Sequence, residues 1–158
     1  MEPLESLDPL VVRAVEPHDA AAWLDMELAL WPDANHAELA EETASYFAGA
    51  NAFITVAFVA LLHDSPVGFL QLNLRPYAEG ALNSPVPHIE GWYVKPAARR
   101  KHVGRALMDA AESWARNNGF TELTSDTTLD YEASPLAHAQ LGFREVERLI
   151  TFHKQLPP

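Results

Sequence analysis

Between residues 95 and 105 stand five bases and no acid: Lys95, Arg99, Arg100, Lys101 and Arg105. They fall where an apolar stretch ending at Tyr93 and Val94 gives way to a loop and then to the apolar-periodic run that begins at Val103. The first N–H groups of a helix have no partner inside it and lie at the positive end of its dipole, so a basic loop at that point binds an anion such as a pyrophosphate. Gly104 would let the backbone approach the phosphates with no Cβ in the way. Standing alone, a basic loop before a helix is an ordinary solvated surface, and its meaning depends on what surrounds it.

The acids are elsewhere. Residues 1–50 hold eleven acids and one base, Arg13, and the whole chain of 158 residues carries 22 Asp and Glu against 11 Lys and Arg, a formal charge of −11. A surface of that sign repels phosphate-rich partners, which excludes a nucleic-acid binder, and attracts polycations. The same acids equally serve as a solvated face that keeps the protein in solution. With no cysteine, disulfides, thiolate nucleophiles and Cys-held metals are excluded. The seven histidines show no metal-ligand spacing, so no metal is expected. The longest apolar run, 52–62, is broken by Thr55 and falls short of the roughly 18 residues of a membrane span, so no membrane partner is expected. Glu2, Glu5 and Asp8 replace the basic start of a signal peptide. The expectation is a cytoplasmic protein of one domain, 1–158, with a flexible N-terminus at 1–8.

Several elements must position this chemistry. Residues 10–13 suit a first strand, and Pro17 and Asp19 open a helix in which Trp23, Met26 and Leu30 recur at helical spacing. Trp31-Pro32-Asp33 ends it, and Asn35 with Glu38 caps a second helix that stops at Gly49. Residues 53–62 and 67–74 read as a hairpin about His63-Asp64-Ser65-Pro66. A loop with Tyr77, Glu79 and three prolines leads to a strand at 89–94. Val103, Leu107, Ala110, Ala111 and Trp114 then form one helical stripe. A strand at 121–126, a short helix at 134–141 and a last strand at 146–153 complete an α/β (α+β) arrangement, a single mixed sheet flanked by about four helices.

The segment Arg99-Arg100-Lys101-His102-Val103-Gly104 resembles the acetyl-CoA pyrophosphate loop of the GNAT N-acetyltransferase superfamily, Arg/Gln-x-x-Gly-x-Gly/Ala. His102 stands in the place of the first glycine. Leu141-Gly142-Phe143 resembles the end of the superfamily's closing helix. Within the superfamily, Leu30-Trp31-Pro32-Asp33, Ser84-Pro85, Glu90-Gly91-Trp92-Tyr93-Val94-Lys95-Pro96, Ser125-Asp126 with Asp130, and His138 are similar to the bacterial aminoglycoside 6′-N-acetyltransferases. Where that family tends to carry an acid before its Ser-Pro, this chain reads Leu82-Asn83.

The resemblance implies a GNAT fold with a mostly antiparallel sheet, acetyl-CoA as cosubstrate, and direct acetyl transfer to the 6′-amine of a cationic aminoglycoside. It implies a cofactor site from Tyr93 and Val94 through Arg99, Arg100, Lys101, His102, Val103, Gly104 and Arg105, with a backbone N–H near Tyr93 or Val94 on the thioester carbonyl. Asp126 takes the place of the general base, with Glu90, directly or through water, as runner-up. A turn-capping aspartate is the competing account of Asp126. His138 stands where a proton donor to the leaving thiolate is expected, and equally reads as a helix-surface histidine. Glu90, Asp126, Asp130 and Glu147 would hold the acceptor's charges, and Trp31 and Tyr77 its rings, although Trp31 also suits a core. Relatives often pair as homodimers. A GNAT enzyme for another small amine, polyamine or peptide N-terminus, and a non-catalytic acyl-CoA-binding module, are the competing functions.

Overall fold

The computed structural model describes residues 10–158, so the expectation for 1–8 lies outside the described residues. The chain forms two compact units, one ending at Asp126 and the other spanning Thr127–Pro158.

In the first unit the order is β1 (Leu10–Ala14), a 3-10 turn (Pro17–Asp19), α1 (Ala20–Leu30), α2 (His36–Phe47), β2 (Val56–Leu62), β3 (Ser65–Arg75), β4 (Val86–Val94), α3 (Val103–Asn117) and β5 (Thr124–Ser125). The strands make one sheet in sequence order, antiparallel except for the parallel β4–β5 pair. Local chemistry explains most boundaries. Asn35 accepts hydrogen bonds from the N–H groups of Ala37 and Glu38 and so starts α2. His63 and Asp64 both take positive φ, 49° and 61°, the two-residue turn whose twist suits a hairpin.

The two faces of the sheet are covered differently. Gly68 lies against Val103 and Leu107 of α3, so by strand alternation the buried Leu70 and Leu72 share that face. Phe69 instead packs with Trp23 and Met26 of α1 and with Ala57 and Val59. Gln71 is also on the α1 side, where its Oε1 accepts the indole N–H of the fully buried Trp23 at 3.1 Å.

Three strand expectations are corrected. The strand predicted at 89–94 begins at Val86. At Pro87 its ladder partner is Leu74 alone, the edge-like setting in which proline is tolerated. The strand predicted at 121–126 shrinks to Thr124–Ser125, because only His88 and Ile89 pair with it. Residues 143–158 form neither helix nor strand, so the strand expected at 146–153 is absent. A run rich in apolar residues makes a strand only where a neighbouring edge supplies the ladder. In the second unit α4 (Ala133–Gln140) is the one helix.

Candidate active site

Acyl side. Ala98 is buried and fixes the loop, while Arg99, Arg100, Lys101, His102 and Arg105 are exposed. Arg99 is tied back through its Nε, which donates to Val94 O at 3.0 Å, and its guanidinium lies 6.0 Å from the Tyr93 ring centroid. His102 has φ 62° and ψ 14°, the left-handed region that glycine enters most cheaply. The histidine therefore keeps the backbone path expected of a glycine there. The N–H groups of Val103, Gly104 and Arg105 begin α3, whose first internal bond runs from Ala106 N to His102 O. A Cβ at Gly104 would stand 3.2 Å from the Trp92 ring, so the glycine also leaves room for the indole. These groups fit a pyrophosphate: the first amides of a helix, four exposed cations and a glycine backbone.

Strand β4 has a ladder partner on the β5 side only at His88 and Ile89. Beyond that point, toward Tyr93 and Val94, its edge is open among the described residues. That is what a backbone donor to a thioester carbonyl requires.

Acceptor side. A pocket of about 480 Å³ lies on the α1 side of the sheet, lined in part by Trp31, Glu42, Gln71, Asn73, Arg75 and Glu90. Trp31 lies between the core and the pocket. Its ring stands against Gly91 and Phe69, and it also walls the pocket. Glu90 reaches the pocket through a bulge: Gln71 pairs with Gly91 and Leu72 with Ile89, so Glu90 is the extra residue of β4. Strict alternation would send Glu90 to the face opposite Gly91; the bulge lets both serve one face.

Arg75 holds Glu90 in a two-pronged pair, Nε to Oε1 and Nη2 to Oε2, each at 2.7 Å. The hydrogen bond to Glu90 raises the Arg75 pKa above its usual value, and the charges of Glu90, Asp126 and Glu79 add to it. Asp126 follows β5 directly and its carboxylate Oδ2 lies 3.4 Å from Nε2 of the buried His88. Tyr77 is 67% exposed and is not part of the pocket wall.

Asp130, His138 and Glu147 belong to the second unit. Hydrogen bonds from the Thr128 hydroxyl and from its own backbone hold the Asp130 carboxyl below the usual range. His138 Nδ1 donates to Ser134 O at 2.8 Å, and its ring meets Phe143 edge-on at 5.2 Å. That tautomer places the proton chemistry of His138 at Nε2. Glu147 is exposed.

Sequence reasoning missed Arg75, Gln71, Glu42 and His88. A polar residue inside an otherwise apolar strand, as at Gln71 and His88, is the signal that could have found two of them. Among the described residues, Glu16, His18 and Asp19 cluster as metal ligands would. The Arg13 guanidinium already fills the cation's place there, with Nη1 2.6 Å from Asp19 Oδ2.

An open-edged strand running into a basic loop and a helix N-terminus fits an acyl-CoA-dependent acetyltransferase. A family model described as acetyltransferase (GNAT) family matches residues 20–143, and the chain belongs to that family. It is closely related to aminoglycoside 6′-N-acetyltransferases. The chain is 45% identical over 147 residues to the aminoglycoside N(6′)-acetyltransferase type 1 of Klebsiella aerogenes, covering 92% of this chain and 97% of that one. It is 39% identical over 148 residues to the Stenotrophomonas maltophilia enzyme of the same name, with 93% and 94% covered. The solved structure of aminoglycoside N-acetyltransferase AAC(6′)-Iy in complex with CoA superposes with a TM-score of 0.88 at 26% identity, covering 98% of this chain and 100% of that one. The GNAT fold and that CoA-bound relative support acetyl-CoA as cosubstrate.

Proposed function

We propose that the protein transfers the acetyl group of acetyl-CoA directly to the 6′-amine of an aminoglycoside, with no covalent enzyme intermediate. The observation that carries this reading is the pocket walled by Trp31, Glu42 and Glu90 on the α1 side of β4, in a chain 45% identical to a protein named for that activity. An aromatic ring beside carboxylates suits a cationic sugar; each exposed ion pair contributes only about 0–1 kcal/mol, so the two in this pocket, Glu42 and Glu90, act with the charge of the whole chain rather than alone.

In this reading the exposed N–H groups of α3, with Arg99, Arg100, Lys101 and Arg105, hold the pyrophosphate. A backbone N–H of β4 near Tyr93 or Val94 polarises the thioester carbonyl. Asp126 takes a proton from the acceptor ammonium, the freed nitrogen attacks the carbonyl carbon, the C–S bond breaks, and the second proton that the nitrogen sheds goes to the departing thiolate, the transfer for which the resemblance names His138. Glu90 is the weaker choice of base, since both its oxygens already accept from Arg75. It serves better as a fixed acceptor at the pocket wall, its orientation set by Arg75.

The test compares CoA release with aminoglycosides bearing a 6′-amine against analogues bearing a 6′-hydroxyl, with NMR of the product. Turnover confined to the 6′-amines supports the reading. Acetylation at another ring position, or turnover on polyamines or peptide N-termini alone, overturns it.

A further inference from the structure

We propose that His88 is a positioning residue for Asp126, holding its carboxylate through a proton shared between Nε2 and Oδ2 and so deciding when that carboxylate can take the acceptor's proton. The inference rests on the role given above to Asp126.

The geometry starts from the β4–β5 ladder, in which His88 stands opposite Thr124. The His88 side chain is 2% exposed, and its Nδ1 lies 2.9 Å from Thr124 Oγ1. That hydroxyl donates to Pro87 O at 3.1 Å. A hydroxyl has one proton. With it given to the carbonyl, the oxygen can only accept from His88, which puts a proton on Nδ1. In a neutral ring Nε2 then carries a lone pair alone. That atom is buried and makes no hydrogen bond, and it faces the Asp126 carboxylate oxygen at 3.4 Å. Two acceptors facing each other at the edge of a protein interior repel, and one proton between them turns repulsion into a charge-assisted contact.

Asp126 comes from the end of β5, and the Arg75–Glu90 ion pair from β3 and β4, Arg75 lying close enough to feel the Asp126 and Glu79 charges. With the pair unloaded, an acceptor N–H bond breaks, its electrons stay on nitrogen and the proton settles between Oδ2 and Nε2. The Asp126 side chain is 72% exposed, so the proton then leaves to water. With the pair already loaded, Asp126 cannot take it.

Two measurements test this. In nitrogen NMR of the imidazole, which needs no acceptor, His88 should show a proton on Nδ1 throughout and should gain its second proton at higher pH in the wild type than in Asp126→Asn. An Nε2–H tautomer, or the same titration in both proteins, overturns the proposal. In pH profiles of acetyl transfer, His88→Phe should lower kcat by roughly 10–100-fold, leave the acetyl-CoA KM unchanged, and move the acid limb down by about one pH unit or more. His88→Gln, whose amide can donate to the carboxylate but takes up no proton, should recover most of kcat and keep the limb displaced. An unmoved limb in both variants overturns the proposal. A wild type inactive on every amine would defeat the proposed function, while the NMR result would still decide whether the pair holds a proton.

Discussion

Replacing Glu27 by glutamine removes one buried charge and keeps the shape of the side chain. Glu27 lies on α1, is 1% exposed, and accepts a long hydrogen bond from Thr43 Oγ1 of α2 at 3.4 Å. Burial, with the nearby Glu42 charge adding to it, pushes its carboxyl from 4.5 up to about 7, against the opposing hydrogen bonds from Thr43 and Gln71. Between those two values the folded protein holds a proton that the unfolded chain has lost. Stability therefore falls as pH rises above 4.5, and the loss is complete once pH is above about 7. A displacement of that size corresponds to about 3 kcal/mol between the two protonation states. At a typical urea slope of roughly 1–3 kcal/mol per molar, the midpoint would drop by about 1–3 M. Urea unfolding at pH 5.5, 7 and 8.5 should show this decline in the wild type and a shallower one in Glu27→Gln, which should be the more stable protein at pH 8.5. Parallel declines would refute the reasoning, because they would place the Glu27 carboxylate in a solvated setting.

Gly104→Ala should raise the acetyl-CoA KM roughly tenfold, about 1.4 kcal/mol of cofactor binding, in an otherwise folded protein; Gly104→Val presses harder on Trp92 and reports on folding as well. In Gly91→Ala the new Cβ would fall 2.8 Å from Trp31 Cη2 and 3.1 Å from Phe69 Cε2. An overpacking cost of about 1–3 kcal/mol should appear as lower thermal stability and a raised acceptor KM, with the acetyl-CoA KM unchanged. Asp126→Asn should reduce kcat by roughly 10²–10⁴-fold if the carboxylate is the base, whereas a loss confined to acceptor KM would make it only an anchor for a cation. Raising the salt concentration should raise the KM of a polycationic acceptor, since exposed charges are screened over about 10 Å at 0.1 M; a flat response would remove the electrostatic account of binding.

What the sequence determined by itself is what is encoded locally. The apolar stripe of α3, the Asn35 cap of α2, the turn at His63 and Asp64 and the basic loop ahead of Val103 each depend on residues a few positions apart, and each forms where expected. The candidate pyrophosphate loop was legible as a structure for the same reason, being one strand end, one loop and one helix start in unbroken succession. The acceptor side was legible only as residue types, Trp31, Glu90 and Asp126, without their partners. Those partners come from register. Arg75 meets Glu90 because β3 and β4 pair antiparallel with one extra residue in β4, and His88 meets Asp126 because a two-residue parallel ladder sets it opposite Thr124. The burial of Glu27 depends on α1, α2 and β3 closing over it together. The segment at 146–153 makes the same point from the other side: its apolar residues suggested a last strand, yet it forms no ladder. Periodicity and capping are properties of a chain, whereas pairing, burial and the proton affinities that follow from them belong to surfaces brought together from distant parts of it.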